Sequence, residues 1–217
     1  MLGDVLVQYY GLGEVTGNIT VLPPDEHGRP SPEGIEFGTC GRVRTGMQVS
    51  IQDTTGTELS PGQQGEICVA GPAVFPGYLD NDAANAESFR DGWFRTGDLG
   101  MVDDEGYVYV TGRASDMFIS GGSNVYPREI EERLLRHPSI AEVAVVGVPD
   151  PRWGEVGVAV CVAAGARPAD TDELRSWLGE SLARYKIPKR FVWWDDIPKS
   201  GYGKVVKRTI KQRLETS

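Results

Sequence analysis

The chain has 217 residues, a 40% hydrophobic fraction and a formal net charge of −9, with a pI near 4.8. That length can bury one large core or two small ones, and two are expected; the acidic balance excludes long-range attraction to nucleic acid or to an anionic membrane surface. Cys40, Cys68 and Cys161 are scattered without metal-like spacing and only His27 and His137 could join them, so a disulfide framework and a His/Cys metal site are excluded and a reducing, cytoplasmic setting is expected.

The opening MLGDVLVQYYG carries no basic leader, and its apolar run is too short for a signal peptide or a membrane span. Residues 5–9 read as a strand buried in a sheet, yet no parallel partner follows nearby. An orphan strand of this kind is expected to be disordered, repacked or paired with a second copy of the chain. In the glycine-rich loop YYGLGEVTG, Glu14 is either a solvated surface charge or a carboxylate facing a ligand. Residues 22–41, rich in proline, glycine and charge, read as an extended surface loop. Short strands at 49–52, 65–70 and 107–111, with a turn at 54–57, predict a small antiparallel sheet or barrel. The TTG at 54–56 has no following lysine or helix, so it reads as a hairpin turn and not a phosphate loop. A short helix over 80–89 is capped by Asp80 or Asn81.

In GWFRTGDLG, residues 92–100, glycines bracket Thr96 and Asp98 while Trp93 and Phe94 anchor the segment. Asp98 is either a turn residue or a carboxylate that accepts hydrogen bonds from both hydroxyls of a ribose. A hairpin return over 107–111 brings Arg113 near it, where the planar guanidinium can pair with a phosphate or ribose oxygen. The stretch GRASDMFISGGSNVYPREIEE then joins the β-rich half to a half in which strand and helix alternate. Gly121 and Gly122 permit positive φ or close backbone approach, and Pro127 opens a helix where its missing N–H costs nothing. That helix, over 127–136, buries Ile130 and Leu134 and turns Glu131 and Glu132 away. Strands at 141–148 and 156–163 flank the turn PDPRWGE; a helix with Asp170 and Glu173 as a capping box runs to about residue 184. A strand at 190–194 and a cationic helix at 209–214 complete the chain. Between them, PKSGYGKVVKR sets Lys204 in a mobile glycine turn, either as a surface residue or as a point charge for a phosphate under attack. The fold class is α+β: a small antiparallel β-barrel-like subdomain, residues 1–112, followed by a compact βαββαβ-like domain, residues 113–217.

The segments YYGLGE, GWFRTGD, GRASDMFISGGSNVYPREIE and PKSGYGK, in that order and spanning nearly the whole chain, resemble the adenylate-forming superfamily of acyl-CoA synthetases, luciferases and peptide-synthetase adenylation domains. The resemblance implies that a carboxylate attacks the α-phosphate of Mg²⁺-bound ATP to give an acyl-adenylate and pyrophosphate, and that a thiol, usually of coenzyme A, then displaces AMP. It implies that Tyr10 stacks on adenine, Glu14 faces the Mg²⁺, Asp98 holds the ribose with help from Arg113, and Lys204 bridges the α-phosphate and the incoming carboxylate. Ser115 falls at the hinge about which the C-terminal domain turns. Gly121 and Gly122 line the pantetheine tunnel, and Trp153 and Tyr185 lie near it and near the nucleotide end of coenzyme A.

GGSNVYPREIE is closer to the acyl-CoA and aryl-CoA synthetase version of this string than to that of peptide-synthetase domains, so coenzyme A is the expected acceptor; a carrier protein stays open. Gly13 stands where the family usually has a threonine that bonds the α-phosphate, and Ser115 replaces the usual Asp or Lys. The family's Ser/Thr/Gly-rich phosphate loop and most of its acyl pocket lie upstream of YYGLGE, and nothing in this chain substitutes for them. Two expectations therefore stand side by side: the C-terminal part of an acyl-CoA synthetase, inactive by itself, or a binding module that keeps only the fold.

Overall fold

Residues 143–146 and 158–161 are almost wholly β-branched or small, the composition of a strand buried on both faces; residues 48–70 instead alternate short apolar runs with turn residues, as antiparallel hairpins do. The computed structural model follows this division. It describes residues 5–32, 35, 38–165 and 169–216, and its contacts cluster into two compact units, Met1–Ala114 and Ser115–Ser217.

In the first unit, β1 (Gln8–Leu12) and β2 (Gly17–Leu22) form an antiparallel hairpin, and β3 (Arg42–Val43) adds to β2. The expected buried strand at 5–9 is corrected here. The strand begins at Gln8 and has an antiparallel partner immediately downstream, while Val5, Leu6, Val7 and Tyr9 are 56%, 75%, 53% and 64% exposed. An apolar run records composition but not which partner the tight turn after it will supply. Gly11 is required within this hairpin, because a Cβ there would lie 1.6 Å from the Gly17 carbonyl oxygen.

A second, five-stranded sheet is built from β4 (Gln48–Gln52), β5 (Gly65–Ala70), β6 (Phe89–Arg90), β7 (Trp93–Val102) and β8 (Val108–Arg113), in the order β4-β5-β7-β6 with β8 also on β7, all antiparallel. The helix α1 (Asp82–Ser88) precedes β6 and is capped by the Asn81 side chain, which accepts from the Ala84 N–H. Val15, Ile19, Ile51, Ile67, Val69, Phe94 and Val108 make one core under both sheets, and Arg42 and Tyr107 bridge them. Residues 92–100, read as a glycine-bracketed segment, are mostly the ten-residue strand β7.

The second unit opens with a hairpin of β9 (Phe118–Ser120) and β10 (Ser123–Val125), whose two-residue turn is Gly121-Gly122 with φ of +58° and +83°, the positive pair that a tight hairpin demands. Then come α2 (Pro127–Leu135), β11 (Ile140–Asp150), β12 (Gly154–Ala163), α3 (Thr171–Gly179), β13 (Arg190–Trp193) and α4 (Lys207–Glu215). The sheet order is β10-β9-β12-β11, with β13 parallel to β12. Alternation along the central strands sorts the two cores. Val143, Val145, Ala159 and Cys161 pack with Ile130, Leu134, Leu174 and Leu178 of α2 and α3; Ala144, Val146, Val158 and Val160 pack with Ile210 and Leu214 of α4.

Three sequence expectations are corrected in this unit. The helix begun at Asp170 ends at Gly179, short of residue 184. Asp170 does cap it, accepting from the Asp172 N–H, but Glu173 lies 3.4 Å from His137 Nε2 instead of closing a capping box. Glu131 does not turn away: its Oε1 accepts from the Val145 N–H at 2.8 Å and from Lys207 Nζ at 2.8 Å. The reason is that, among the described residues, β11 pairs only with β12, so its outward N–H groups need partners from elsewhere.

Candidate functional site

The centre of the first unit's site is a bulge. Between the Glu66–Leu99 and Cys68–Arg95 pairs, β5 contributes Ile67 alone while β7 contributes Thr96, Gly97 and Asp98. Such an insertion bends one strand and re-aims its side chains. The bulge is held from within: Thr96 Oγ1 donates to the Ile67 carbonyl at 2.8 Å, the Asp98 N–H donates to Thr96 Oγ1 at 3.0 Å, and the Gly97 N–H donates to Glu66 Oε1 at 3.2 Å. Gly97 takes φ of +72°, which a side chain would resist.

Asp98 is thereby set between two partners. Its Oδ2 accepts from the Tyr10 hydroxyl at 2.7 Å, and its Oδ1 lies 2.9 Å from Nε of Arg113, the residue directly opposite it on β8. The Asp98 side chain is only 7% exposed, whereas 61% of the Arg113 side chain is open to solvent. A buried carboxylate with one donor on each oxygen is pointed in one direction. The Tyr10 phenol is pushed well above its ordinary range, first by burial and then by the adjacent Asp98 charge, so it acts as a fixed donor. Tyr10, Asp98 and Arg113 are therefore brought together, although Tyr10 and Asp98 are 88 positions apart.

Glu14 occupies a single 3-10 turn, Gly13–Val15, that continues β1 and is closed by Thr16 in the left-handed region at φ of +54°. Its Oε1 accepts from the Tyr78 hydroxyl at 3.1 Å. Among the described residues no group of three or more His, Cys, Asp or Glu side chains could hold a metal. A lone carboxylate suits Mg²⁺ that brings most of its own oxygen ligands as water and phosphate, and does not suit an all-protein cage.

In the second unit, Gly121 and Trp153 adjoin. The Gly121 N–H donates to the Trp153 carbonyl at 2.9 Å, and a Cβ on Gly121 would lie 2.7 Å from Trp153 Cε3. The exposed indole has two cations near its ring, Arg152 at 5.3 Å and Lys189 at 5.5 Å, while Gly122 completes the turn and Tyr185 is exposed. Lys204 lies on an exposed turn fixed at its base, where the Ser200 N–H donates to the Lys204 carbonyl at 2.8 Å and Lys199 bridges Val205. Ser115 sits in a 3-10 turn, Ala114–Asp116, at the boundary of the two units. Residues that sequence reasoning missed are Tyr78, which holds Glu14, and Glu66, which braces the bulge. Thr96 was visible in GWFRTGD, but its role was not.

Two family models match the chain: the AMP-binding enzyme family over residues 1–79 and the AMP-binding enzyme C-terminal domain over residues 129–204. The chain belongs to the adenylate-forming, AMP-binding superfamily, matching its C-terminal portion. It is 44% identical over 206 residues to a 2-succinylbenzoate–CoA ligase of Bacillus licheniformis, covering 94% of this chain and 41% of that protein. It is 42% identical over 212 residues to a feruloyl-CoA synthase of an Amycolatopsis species, covering 98% of this chain and 42% of that protein. Among solved structures, the o-succinylbenzoate CoA synthetase of Bacillus subtilis in complex with its acyl-adenylate intermediate aligns with a TM-score of 0.85 at 38% identity, over 94% of this chain and 40% of that one. The chain thus spans about two fifths of the length of these relatives. No helix among the described residues is long and apolar enough to cross a membrane.

Proposed function

We propose that this chain is the C-terminal part of an ATP-dependent, AMP-forming acyl-CoA synthetase. The observation that carries the reading is Asp98, a buried carboxylate presented at a bulge between Tyr10 and Arg113. Asp98 holds the ribose, Arg113 supports it with charge open to the nucleotide side, and the Tyr10 ring stacks on adenine while its hydroxyl fixes Asp98. Glu14 would hold the Mg²⁺, which would supply positive charge to the phosphates. Lys204 stabilises the charge that grows on the α-phosphate and the incoming carboxylate. Ser115 is the hinge about which the second unit turns between the two half-reactions. Gly121, Gly122, Trp153 and Tyr185 line the path of coenzyme A. With Gly13, one phosphate donor is either absent or supplied by the backbone.

The two half-reactions separate these roles. In the complete ligase, Lys204→Ala is expected to abolish pyrophosphate release on mixing with ATP and carboxylic acid, while thioester formation from supplied acyl-adenylate continues; equal loss of both steps removes Lys204 from its role. The 217 residues alone are expected to give no adenylation with a panel of carboxylic acids, and turnover at a normal rate would overturn their assignment as a part. Calorimetric titration with ATP and with coenzyme A distinguishes this reading from a module that keeps only the fold and binds neither.

A further inference from the structure

The reading of Glu14 leaves unexplained how a carboxylate on a single turn is held still. The loop after β5 does this in three places. The Thr16 hydroxyl donates to the Ala73 carbonyl at 2.7 Å, the Phe75 N–H donates to the Glu14 carbonyl at 2.7 Å, and the Tyr78 hydroxyl reaches the Glu14 carboxylate at 3.1 Å. Tyr78 is itself fixed. Its N–H donates to Asn85 Oδ1 at 2.7 Å, and Asn85 Nδ2 donates back to its carbonyl at 2.9 Å. Gly77 admits that amide: at φ of +137°, a Cβ there would lie 2.9 Å from Asn85 Oδ1. The Tyr78 ring meets Phe75 edge-on at 4.8 Å, and Phe75 packs on Phe94 at 5.3 Å. A partly exposed tyrosine with its ring, backbone and hydroxyl all engaged is more constrained than a surface contact requires.

We propose that Tyr78, clamped by Asn85, is a positioning residue for Glu14: its hydroxyl occupies Oε1 and so orients the carboxylate that meets the magnesium–triphosphate. The inference rests on the reading of Glu14 as the metal-facing group. Groups that orient a metal ligand through a hydrogen bond typically change metal affinity by about 10- to 100-fold when removed.

Tyr78→Phe keeps the ring and its Phe75 contact and removes only the donor. In the 217-residue chain, without nucleotide, deuterium relaxation of the Glu14 Cγ methylene reports how firmly the side chain is held. Order is expected to be lost in Tyr78→Phe and in Asn85→Ala and kept in the control Tyr9→Phe; unchanged order in Tyr78→Phe overturns the proposal. In the complete ligase, Tyr78→Phe is expected to raise the free Mg²⁺ giving half-maximal pyrophosphate release by about 10-fold, with the ATP KM at saturating Mg²⁺ and the Tm unchanged. Glu14→Gln separates the two levels. If it leaves Mg²⁺ dependence unaltered, the reading of Glu14 fails and the inference with it; if it shifts that dependence and Tyr78→Phe does not, the inference alone fails.

Discussion

Tyr10 and Asp98 depend on each other across the first unit. The phenol is half-buried and its ring packs on the core around Val15 and Ile19, so it cannot swing out to water, and Asp98 Oδ2 has it as a donor. Removing that donor strands a charged oxygen in a buried site, and hydrogen bonds to charged groups contribute about 1.5–3 kcal/mol. Tyr10→Phe is therefore expected to lower stability by about 2 kcal/mol in urea melts. It should also loosen the hold on Asp98, visible as a changed Asp98 amide environment in NMR spectra. A stability change below about 0.5 kcal/mol would mean that water replaces the phenol. Arg113, much more exposed, contributes orientation more than stability.

At the scale of elements, the β9–β10 hairpin is sharply constrained. Its turn needs two consecutive positive-φ residues, and it passes so close to Trp153 that even a methyl group would collide. Gly121→Ala is expected to cost about 1–2 kcal/mol from the left-handed backbone alone and to displace the indole. Urea melts measure the first effect and the Trp153 indole N–H resonance the second. An alanine variant with both unchanged would show that the turn and the ring are free to part. By contrast, α2 is held by several independent contacts: Ile130 and Leu134 in the core, Glu131 on the β11 edge and Lys207, and Glu129 bonded to Lys186 at 2.7 and 2.8 Å.

Over the whole molecule, the titratable groups perturbed by burial are acids kept protonated. The Cys68 and Cys161 thiols are both pushed up to about 12 by burial, and the phenols of Tyr10, Tyr78 and Tyr109 are raised, each with burial as the leading cause. A group whose folded value lies above its unfolded one contributes stability that is complete below the unfolded value and lost as pH rises through the folded one. The unfolded values are 9.0 for the thiols and 10.0 for the phenols. Urea midpoints should thus be level between about pH 6 and pH 8 and fall between about pH 9 and pH 12. Growing repulsion in a chain already at −9 works in the same direction. A midpoint that rises across that window would contradict the burial of these side chains.

Much of this was legible without coordinates, wherever the physics is local. Continuous apolar runs marked β11 and β12, Pro127 marked the start of α2, Asp80 or Asn81 and Asp170 marked caps, and the Gly121-Gly122 pair marked a backbone that only glycine takes cheaply, because each depends on neighbours within a turn or a pleat. The separate segments containing Asp98, Arg113 and Lys204 also pointed to nucleotide chemistry. Tertiary structure alone decided which side chains meet. The three-against-one bulge that lifts Asp98 to Tyr10, the reach of Tyr78 to Glu14 across 64 positions, and the turning of Glu131 inward to an unpaired strand edge are all long-range. No periodicity encodes them, since they arise from strand partners chosen only when the sheets assemble.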